Sequence, residues 1–325
     1  MDLCGACGTE GQRTPHVARE LMLGLHDQFT YAECGSCGAL ELVDVPADMS
    51  RYYPAAYYSY ADVQPNSSRE KLKLFVKGRL VAKILASNGR SMGFAARMGE
   101  RGLKGNPRGS EWINPLKGLV AAGIHVGDSF LDVGCGSGHL LNALWASGMR
   151  SIAGIDPFLP QDAKPGRVPI YRETVFTHQG QYDSILFNHS YEHLEKPVDV
   201  LKATANLLKP GGHVILRIPV ADSYAWRTYG VHWYQLDTPR HIFIHTRKSM
   251  KHIAEASGFE LKDVWCDSYY MQFTASELYK REIPLADQNK QEYFTRTQIE
   301  EFARRSEELN AANDGDQATF LLRCP

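Results

Sequence analysis

Two cysteine pairs have the spacing of metal ligands. Residues 4–8 and 34–38 both read Cys-x-x-Cys-Gly, and each pair can offer two thiolates to one ion. Four sulfur ligands leave no open position for water, so the pattern predicts a structural zinc site, with a pair of disulfides or redox dithiols as the alternative. The predicted zinc ligands are Cys4, Cys7, Cys34 and Cys37.

A glycine-rich turn in the middle of the chain has the composition of a nucleotide site. The apolar run Phe130–Val133 leads into glycines at 134, 136 and 138. Glycine lets the backbone approach a ligand closely, and a helix that starts after the turn would direct N–H groups at the same crevice. Asp156, at the end of the next apolar run, suits a ribose diol. A dinucleotide fingerprint would need glycine where this chain has His139, which argues against a pyrophosphate ligand.

Several motifs in order along the chain resemble one enzyme family. Asp132-x-Gly-x-Gly-x-Gly138 resembles motif I of the class I S-adenosylmethionine (SAM) methyltransferases. Tyr182–Asn188 resembles the fourth strand of that family, Pro197–Lys209 resembles the helix after it, and Lys209–Arg217 resembles its Lys-Pro-Gly-Gly turn and fifth strand. A Rossmann-like domain that binds another nucleotide is the alternative.

The resemblance implies a fold and a cofactor. The fold is Rossmann-like α/β, with a seven-stranded, mostly parallel sheet whose last strand is antiparallel, and Phe259–Asp267 and Gln317–Arg323 would be its final pair. The cofactor is SAM. The residues expected to contact it are Asp132, Gly134, Gly136, Ser137, Gly138, Asp156, Pro157 and Asn188.

Histidines follow the predicted fourth strand directly. Residues 189–193, His-Ser-Tyr-Glu-His, resemble the acidic-His signature of ubiquinone-pathway and related methyltransferases, and His241 lies in a Leu-Asp-x-Pro-Arg-His block of the same group. Side chains after a parallel strand are expected to face the transferable methyl, either as a general base or as ligands of a catalytic divalent ion. A local structural role is the alternative, and Arg240 is a candidate partner for a substrate carboxylate or phosphate. The catalytic candidates are His189, Tyr191, Glu192, His193 and His241.

Three segments must position these residues. Residues 1–45 are predicted to form a zinc ribbon, 46–106 a tyrosine-rich and helical linker or cap, and 107–325 the SAM-dependent methyltransferase domain with a helical insertion at 268–315. The five tyrosines between Tyr52 and Tyr60 are expected either to pack between domains or to line the substrate. Helical spacing of apolar residues predicts a basic amphipathic helix over Glu70–Ala86, for packing, a membrane surface or an acidic substrate. The glycines of residues 89–109 predict a mobile linker or a lid hinge.

Composition limits the class of partner. The 325 residues carry 36 basic and 37 acidic side chains, so no overall field attracts nucleic acid or an anionic membrane. The sequence contains no apolar run long enough to span a membrane and no signal peptide, so a cytoplasmic protein with reduced or metal-bound cysteines is expected. A small or neutral substrate is favoured over nucleic acid.

The combined prediction is methyl transfer from SAM to a small-molecule acceptor. The ribbon and the tyrosine-rich segment resemble those of bacterial methyltransferases of polysaccharide and secondary-metabolite pathways. This resemblance implies O-methylation of a sugar, nucleotide sugar or glycan precursor, with C-methylation of a keto-sugar as the close alternative. RNA methylation is disfavoured by the near-neutral charge. An inactive SAM-binding scaffold is disfavoured because Asp132, the three glycines and Asp156 are all present.

Overall fold

A computed structural model describes residues 3–53, 67–88, 90, 114–159, 167–288 and 293–325. The described residues do not include Tyr57, Tyr58 or Tyr60. Of the linker predicted at residues 89–109, they include only residue 90. The chain divides into two compact units. Unit 1 comprises residues 1–54, 189–201 and 218–319, and unit 2 comprises residues 55–188, 202–217 and 320–325. The predicted domain boundaries at residues 45 and 106 and the insertion at 268–315 stay predictions.

Among the described residues, eleven β-strands form two sheets. The strands are β1 Arg13–Arg19, β2 Gln28–Cys34, β3 Leu40–Leu42, β4 Phe130–Val133, β5 Ile152–Ile155, β6 Ile170–Tyr171, β7 Tyr182–Asn188, β8 Leu208–Pro219, β9 Phe243–Ile244, β10 Glu260–Cys266 and β11 Gln317–Arg323. The four-stranded sheet has the order β1-β2-β3-β9. The seven-stranded sheet has the order β10-β11-β8-β7-β4-β5-β6.

The seven-stranded sheet is mostly parallel and has an antiparallel last strand. Strand β4 lies at its centre, where Phe130 pairs in parallel register with Ile152 of β5 and Ser184 of β7. The strand order reverses at β4, because β5 and β6 extend to one side while β7 and β8 extend to the other. Open α/β sheets bind ligands at the carboxyl ends of strands at such a point. The predicted Rossmann-like methyltransferase fold is confirmed.

Eight α-helices are present among the described residues. They are α1 Ser68–Ala86, α2 Asn114–Ala121, α3 His139–Ser147, α4 Pro197–Ala205, α5 Tyr224–Tyr229, α6 Arg247–Ala256, α7 Met271–Tyr279 and α8 Arg296–Ala311. Helix α1 starts with a capping box between Ser67 and Glu70. It packs against α3 through Gly78, where a Cβ would lie 2.5 Å from the backbone of Ala146. Among the described residues, no helix is both long enough and apolar enough to cross a membrane.

Unit 1 has a hydrophobic core of its own. Tyr31 and Leu40 of the four-stranded sheet share this core with Trp233 and with Phe273 of α7. The Trp233 indole N–H donates to Asp316 at 2.9 Å, so the largest buried side chain also has a polar partner. The first three strands therefore pack with residues that lie about two hundred positions later in the chain.

Candidate active site

The two Cys-x-x-Cys-Gly segments, residues 4–8 and 34–38, are the cysteine knuckles of unit 1, and their four cysteines lie together. The Sγ atoms of Cys4 and Cys37 are 3.8 Å apart, as are those of Cys7 and Cys34, and all four lie within 4.8 Å of one another. Zinc–thiolate bonds of about 2.3 Å in a tetrahedron place the sulfur atoms about 3.8 Å apart. The spacing therefore fits one tetrahedral ion, and the thiols are free rather than disulfide-bonded.

The thiols of Cys4 and Cys37 compete for one proton. The contact with the Cys37 thiol and the backbone N–H groups of Cys7 and Ala6 lower the pKa of Cys4 to about 4, although burial opposes the shift. The same contact and burial raise the pKa of Cys37. A thiolate is the form that binds a metal, and a cation between the two sulfurs would replace the shared proton.

The glycine-rich turn of unit 2 connects β4 to α3. Gly136 and Gly138 have φ values of 51° and 81°, in the left-handed region that glycine adopts without strain. A Cβ on Gly138 would also lie 2.6 Å from Cδ1 of Ile170. The Oγ atom of Ser137 is buried in this turn and has no hydrogen-bond partner among the described residues. A ligand at this turn would therefore meet the N-terminus of α3 and one unpaired hydroxyl.

Two buried carboxylates flank the turn. The Asp156 carboxylate accepts hydrogen bonds from the N–H groups of Gly136 and Phe158, both at 2.9 Å. Burial and the nearby charge of Asp156 raise the pKa of Asp132 to about 8. Near neutral pH Asp132 is therefore mainly protonated, and the charge of the Asp156 carboxylate disfavours a pyrophosphate and favours a ligand that carries positive charge. SAM fits this requirement, because its sulfur is a sulfonium.

The remaining predicted cofactor residues lie at the same sheet edge. Pro157 follows Asp156, and its carbonyl accepts a hydrogen bond from Nε of Arg172 at 3.1 Å. Asn188 ends β7, and its Oδ1 accepts from Arg217 at 3.2 Å. The eight predicted cofactor residues thus lie in or directly after β4, β5 and β7. Their individual contacts with SAM stay predictions.

In unit 1, imidazoles surround the buried carboxylate of Glu192. Glu192 is fully buried, and neither carboxylate oxygen accepts a hydrogen bond from the described residues. Nδ1 of His189 and Nε2 of His241 lie 3.4 Å and 3.8 Å from its Oε1. The ring of His193 packs edge-on against that of His241, with centroids 4.7 Å apart. One ligand atom each from Glu192, His193 and His241 lies within 4.8 Å of the others.

Backbone carbonyls fix the tautomers of two histidines. Nδ1 of His193 donates to the carbonyl of Arg240 at 2.7 Å, and Nδ1 of His241 donates to the carbonyl of Gln235 at 2.8 Å. A carbonyl only accepts, so each Nδ1 carries the proton and each neutral ring keeps a lone pair on Nε2. Nε2 of His241 and the Glu192 carboxylate are therefore two acceptors that face each other. A cation or a substrate hydroxyl proton would stabilise this arrangement.

The electrostatics of the cluster agree with this assignment. Burial and the neighbouring His193 lower the pKa of His241 to about 4, so its ring is neutral near neutral pH. Burial alone would raise the pKa of Glu192, but the imidazoles of His189 and His241 lower it to about 2. An ionised carboxylate beside a neutral imidazole can accept a proton or hold a divalent ion.

His189 and Tyr191, the other two catalytic candidates, have different environments. His189 has a φ of 53°, and a left-handed non-glycine residue costs on the order of 1–3 kcal/mol. Such strain directly after β7 is typical of a functional constraint. The buried hydroxyl of Tyr191 instead donates to the carbonyl of Pro197 at 2.7 Å, so it supports the loop from within.

Two further side chains lie near the cluster. One, Arg240, has a structural role, and the other, His245, was not among the predicted candidates. The Arg240 guanidinium is not available to a substrate anion, because it is buried in ion pairs with Glu20 at 2.8 Å and Asp237 at 2.6 Å. His245 was not predicted, although it is fully buried and neither ring nitrogen has a hydrogen-bond partner among the described residues. Burial lowers the pKa of His245 to about 4. Its one signal in the sequence was the recurrence of histidine four residues after His241.

Comparisons with known proteins identify the family of the chain. A family model described as a methyltransferase domain matches residues 81–264. The ubiquinone biosynthesis O-methyltransferase of Escherichia coli is 35% identical over 139 residues, and the match spans 38% of this chain and 58% of that relative. A SAM-dependent methyltransferase structure from Archaeoglobus fulgidus has a TM-score of 0.40 at 16% identity and covers 61% of this chain and 86% of its own. One from Mesorhizobium loti has a TM-score of 0.42 at 17% identity and covers 67% and 98%. Because the family model matches more than half of the sequence, the chain belongs to the methyltransferase-domain family.

Proposed function

We propose that this SAM-dependent methyltransferase methylates a hydroxyl group of a sugar, nucleotide sugar or glycan precursor. The observation that carries the proposal is the neutral Nε2 of His241, 3.8 Å from the buried Glu192 carboxylate. SAM already holds an activated methyl, so the protein must mainly orient a nucleophile and remove its proton. An alcohol releases its proton reluctantly, and a neutral imidazole or a metal ion assists that release.

The proposed step transfers one methyl and one proton. The acceptor oxygen forms a bond to the methyl carbon while the bond between that carbon and sulfur breaks, which leaves S-adenosylhomocysteine. The hydroxyl proton moves to Nε2 of His241 or His193, and the Glu192 carboxylate stabilises the imidazolium that forms. Chain connectivity supports this role, because the loop that carries Glu192 and His193 begins directly after Asn188, the last residue of β7.

A divalent ion is the second way in which the same donors could assist. Glu192, His193 and His241 would hold it, and the carbonyls that fix both imidazoles are the outer partners typical of histidine ligands. The ion would lower the pKa of the acceptor hydroxyl. Measuring the bound metal separates the two versions. One Mn²⁺ per chain, bound in addition to the zinc of the cysteines and lost in Glu192→Gln, supports the ion. No bound Mn²⁺ at saturating concentration supports the imidazole base.

We propose that the four cysteines hold zinc. The 3.8 Å sulfur separations and the absence of disulfides among the described cysteines support this assignment. Elemental analysis of reduced, purified protein is expected to give one zinc per chain. Protein that is folded and reduced but free of metal would contradict the assignment.

Two rival acceptors have weaker support. The E. coli relative is named an O-methyltransferase, which favours oxygen over the carbon of a keto-sugar, although the match spans 38% of this chain. RNA would require a positive surface, and the chain carries a formal net charge of −1. Transfer to RNA would fall steeply with added salt, whereas transfer to a neutral sugar would not.

The test is a mass-shift screen with ¹³C-methyl SAM. Nucleotide sugars and glycan precursors are incubated with the enzyme, and the expected product gains one labelled methyl whose carbon shift is that of a methyl ether. Glu192→Gln is the matched control and is expected to give little product. A carbon-bound methyl would establish the keto-sugar alternative, and methylation of RNA alone would contradict the proposal.

A further inference from the structure

The candidate histidines are continuous with the cysteine ribbon, here residues 3–45. Strand β9 begins two residues after His241, and it is the fourth strand of the sheet that β1, β2 and β3 of the ribbon form. Leu40 pairs with Ile244, and the N–H of Leu42 donates to the carbonyl of Ile242 at 2.9 Å. The backbone that carries His241 is thus fixed by strand pairing with the ribbon.

A buried tyrosine of the ribbon holds His241 directly. The hydroxyl of Tyr31, in β2, donates to the carbonyl of His241 at 2.6 Å, and Tyr31 is fully buried. A buried carbonyl that loses its donor is unsatisfied, so this bond strongly favours one orientation of the peptide that follows His241. The other end of the same imidazole is fixed by the carbonyl of Gln235.

A buried ion pair connects the ribbon to His193. Glu20, at the end of β1, pairs with the guanidinium of Arg240 at 2.8 Å, and both side chains are fully buried. The backbone carbonyl of the same Arg240 accepts the Nδ1 proton of His193 at 2.7 Å. Breaking one partner of a buried pair leaves an uncompensated charge, so the arrangement resists displacement. Glu20 therefore holds Arg240 in place, and the Arg240 carbonyl orients the imidazole of His193.

The second cysteine knuckle extends this connection to the metal site. The carbonyl of Cys37 accepts a hydrogen bond from the hydroxyl of Thr246 at 2.6 Å. Thr246 caps α6 and follows β9 by two residues. A movement of the knuckle on metal loss would therefore reach the strand that begins beside His241.

We propose that the cysteine ribbon forms part of the catalytic apparatus, with Tyr31 and Glu20 as positioning residues that orient His241 and His193. Occupancy of the cysteine site then sets the rate of methyl transfer without setting the affinity for SAM. The inference rests on the proposed role of the two histidines. The glycine turn and Asp156 belong to the other compact unit, so SAM binding is expected to be independent of the ribbon.

The decisive variant is Tyr31→Phe, which removes one hydroxyl and keeps the ring in the core. A displacement of about 1 Å can lower a rate about 100-fold, so we expect kcat to fall roughly 10- to 100-fold. The dissociation constant of SAM, measured by calorimetry, and the zinc content are expected to stay at wild-type values. In ¹H–¹⁵N spectra of the histidine rings, the signals of His193 and His241 are expected to shift.

Tyr224→Phe is the matched control. It also removes a tyrosine hydroxyl from unit 1, one that accepts from Arg305 at 2.6 Å, and it is expected to change neither kcat nor the imidazole signals. Zinc removal by a chelator and readdition provide a second approach, with reversible loss of turnover while SAM still binds. Should Tyr31→Phe fail to fold, Glu20→Gln tests the other connection by the same measurements.

The failures of this inference and of the proposed function are distinguishable. Wild-type protein that neither binds SAM nor methylates any acceptor would refute the function, while the imidazole spectra would still test the positioning. Normal kcat and unshifted imidazole signals in Tyr31→Phe would overturn the inference alone. A loss of SAM affinity equal to the loss of kcat would also overturn it, because the ribbon would then support the whole fold.

Discussion

The carboxylate of Glu192 lies among the imidazoles of His189, His193 and His241. Its side chain is fully buried, and an ionised group in such surroundings is costly unless a donor or cation accompanies it. The lone pair on Nε2 of His241 cannot supply that donor, because its proton lies on Nδ1. Within the described residues, the acid is therefore best satisfied when an acceptor hydroxyl or an ion occupies the cluster.

Replacement of either imidazole tests this view at the residue scale. We expect His193→Gln and His241→Gln each to lower kcat about 100-fold or more, the usual contribution of a positioned general base. The affinity for SAM, measured by calorimetry, is expected to remain unchanged. His252→Gln removes an exposed imidazole from α6 and serves as the control. Wild-type kcat in both cluster variants would refute the base and the metal assignments together.

At the scale of elements, the sequence predicted best what is local. The turn after β4 and helix α3 follow from glycine spacing and an adjacent apolar run, and the observed helix His139–Ser147 starts directly after the turn, as predicted. The Thr246 cap is local in the same way, because its side chain accepts from the N–H of Ser249, three residues away. The sequence also predicted the four cysteines and the three catalytic candidates that cluster in the structure.

What the sequence did not reveal depends on distant partners. Arg240 was a candidate either for binding a substrate anion or for a structural role, and its ion pair with Glu20, 220 positions earlier, gives it the structural role. Nothing in the neighbourhood of Tyr31 indicates that its hydroxyl bonds to His241. No local pattern encodes such a pairing, because only the complete four-stranded sheet brings these residues together.

Helix α1 allows a test of packing between elements. Glycine to alanine normally stabilises a helix interior by about 1 kcal/mol. For Gly78→Ala we expect the opposite sign, a loss of about 1–3 kcal/mol, since the new Cβ would lie 2.5 Å from the backbone of Ala146 in α3. Urea unfolding measures the change. Gly127→Ala is the control, because its Cβ would have open space, and a stabilised Gly78→Ala variant would show that α1 does not pack on α3 in this way.

For the whole molecule, Asp132 links cofactor binding to stability. Its pKa rises from 3.8 to about 8 on folding, so the native state keeps a proton that the unfolded chain has released. Between about pH 4 and pH 8, raising the pH therefore lowers the free energy of unfolding. We expect Asp132→Asn to unfold at higher urea than wild type near pH 8 and at similar urea near pH 4, while binding SAM more weakly.

The control for Asp132→Asn removes an exposed carboxylate instead of a buried one. Asp263 is exposed on β10, and Asp263→Asn is expected to leave the pH dependence of unfolding unchanged. If Asp132→Asn shows the same pH dependence as wild type, the buried proton does not exist. If it binds SAM as tightly as wild type, Asp132 has no part in holding the cofactor.

The pairing of β3 with β9 has a consequence for synthesis of the chain. The N-terminal sheet lacks its fourth strand until residues 243 and 244 have been translated. At about 5–20 residues per second, the ribosome needs on the order of 10–40 s to add the intervening residues. During that interval the nascent sheet has an exposed edge, and early capture of zinc by the cysteines would protect it from pairing with other chains.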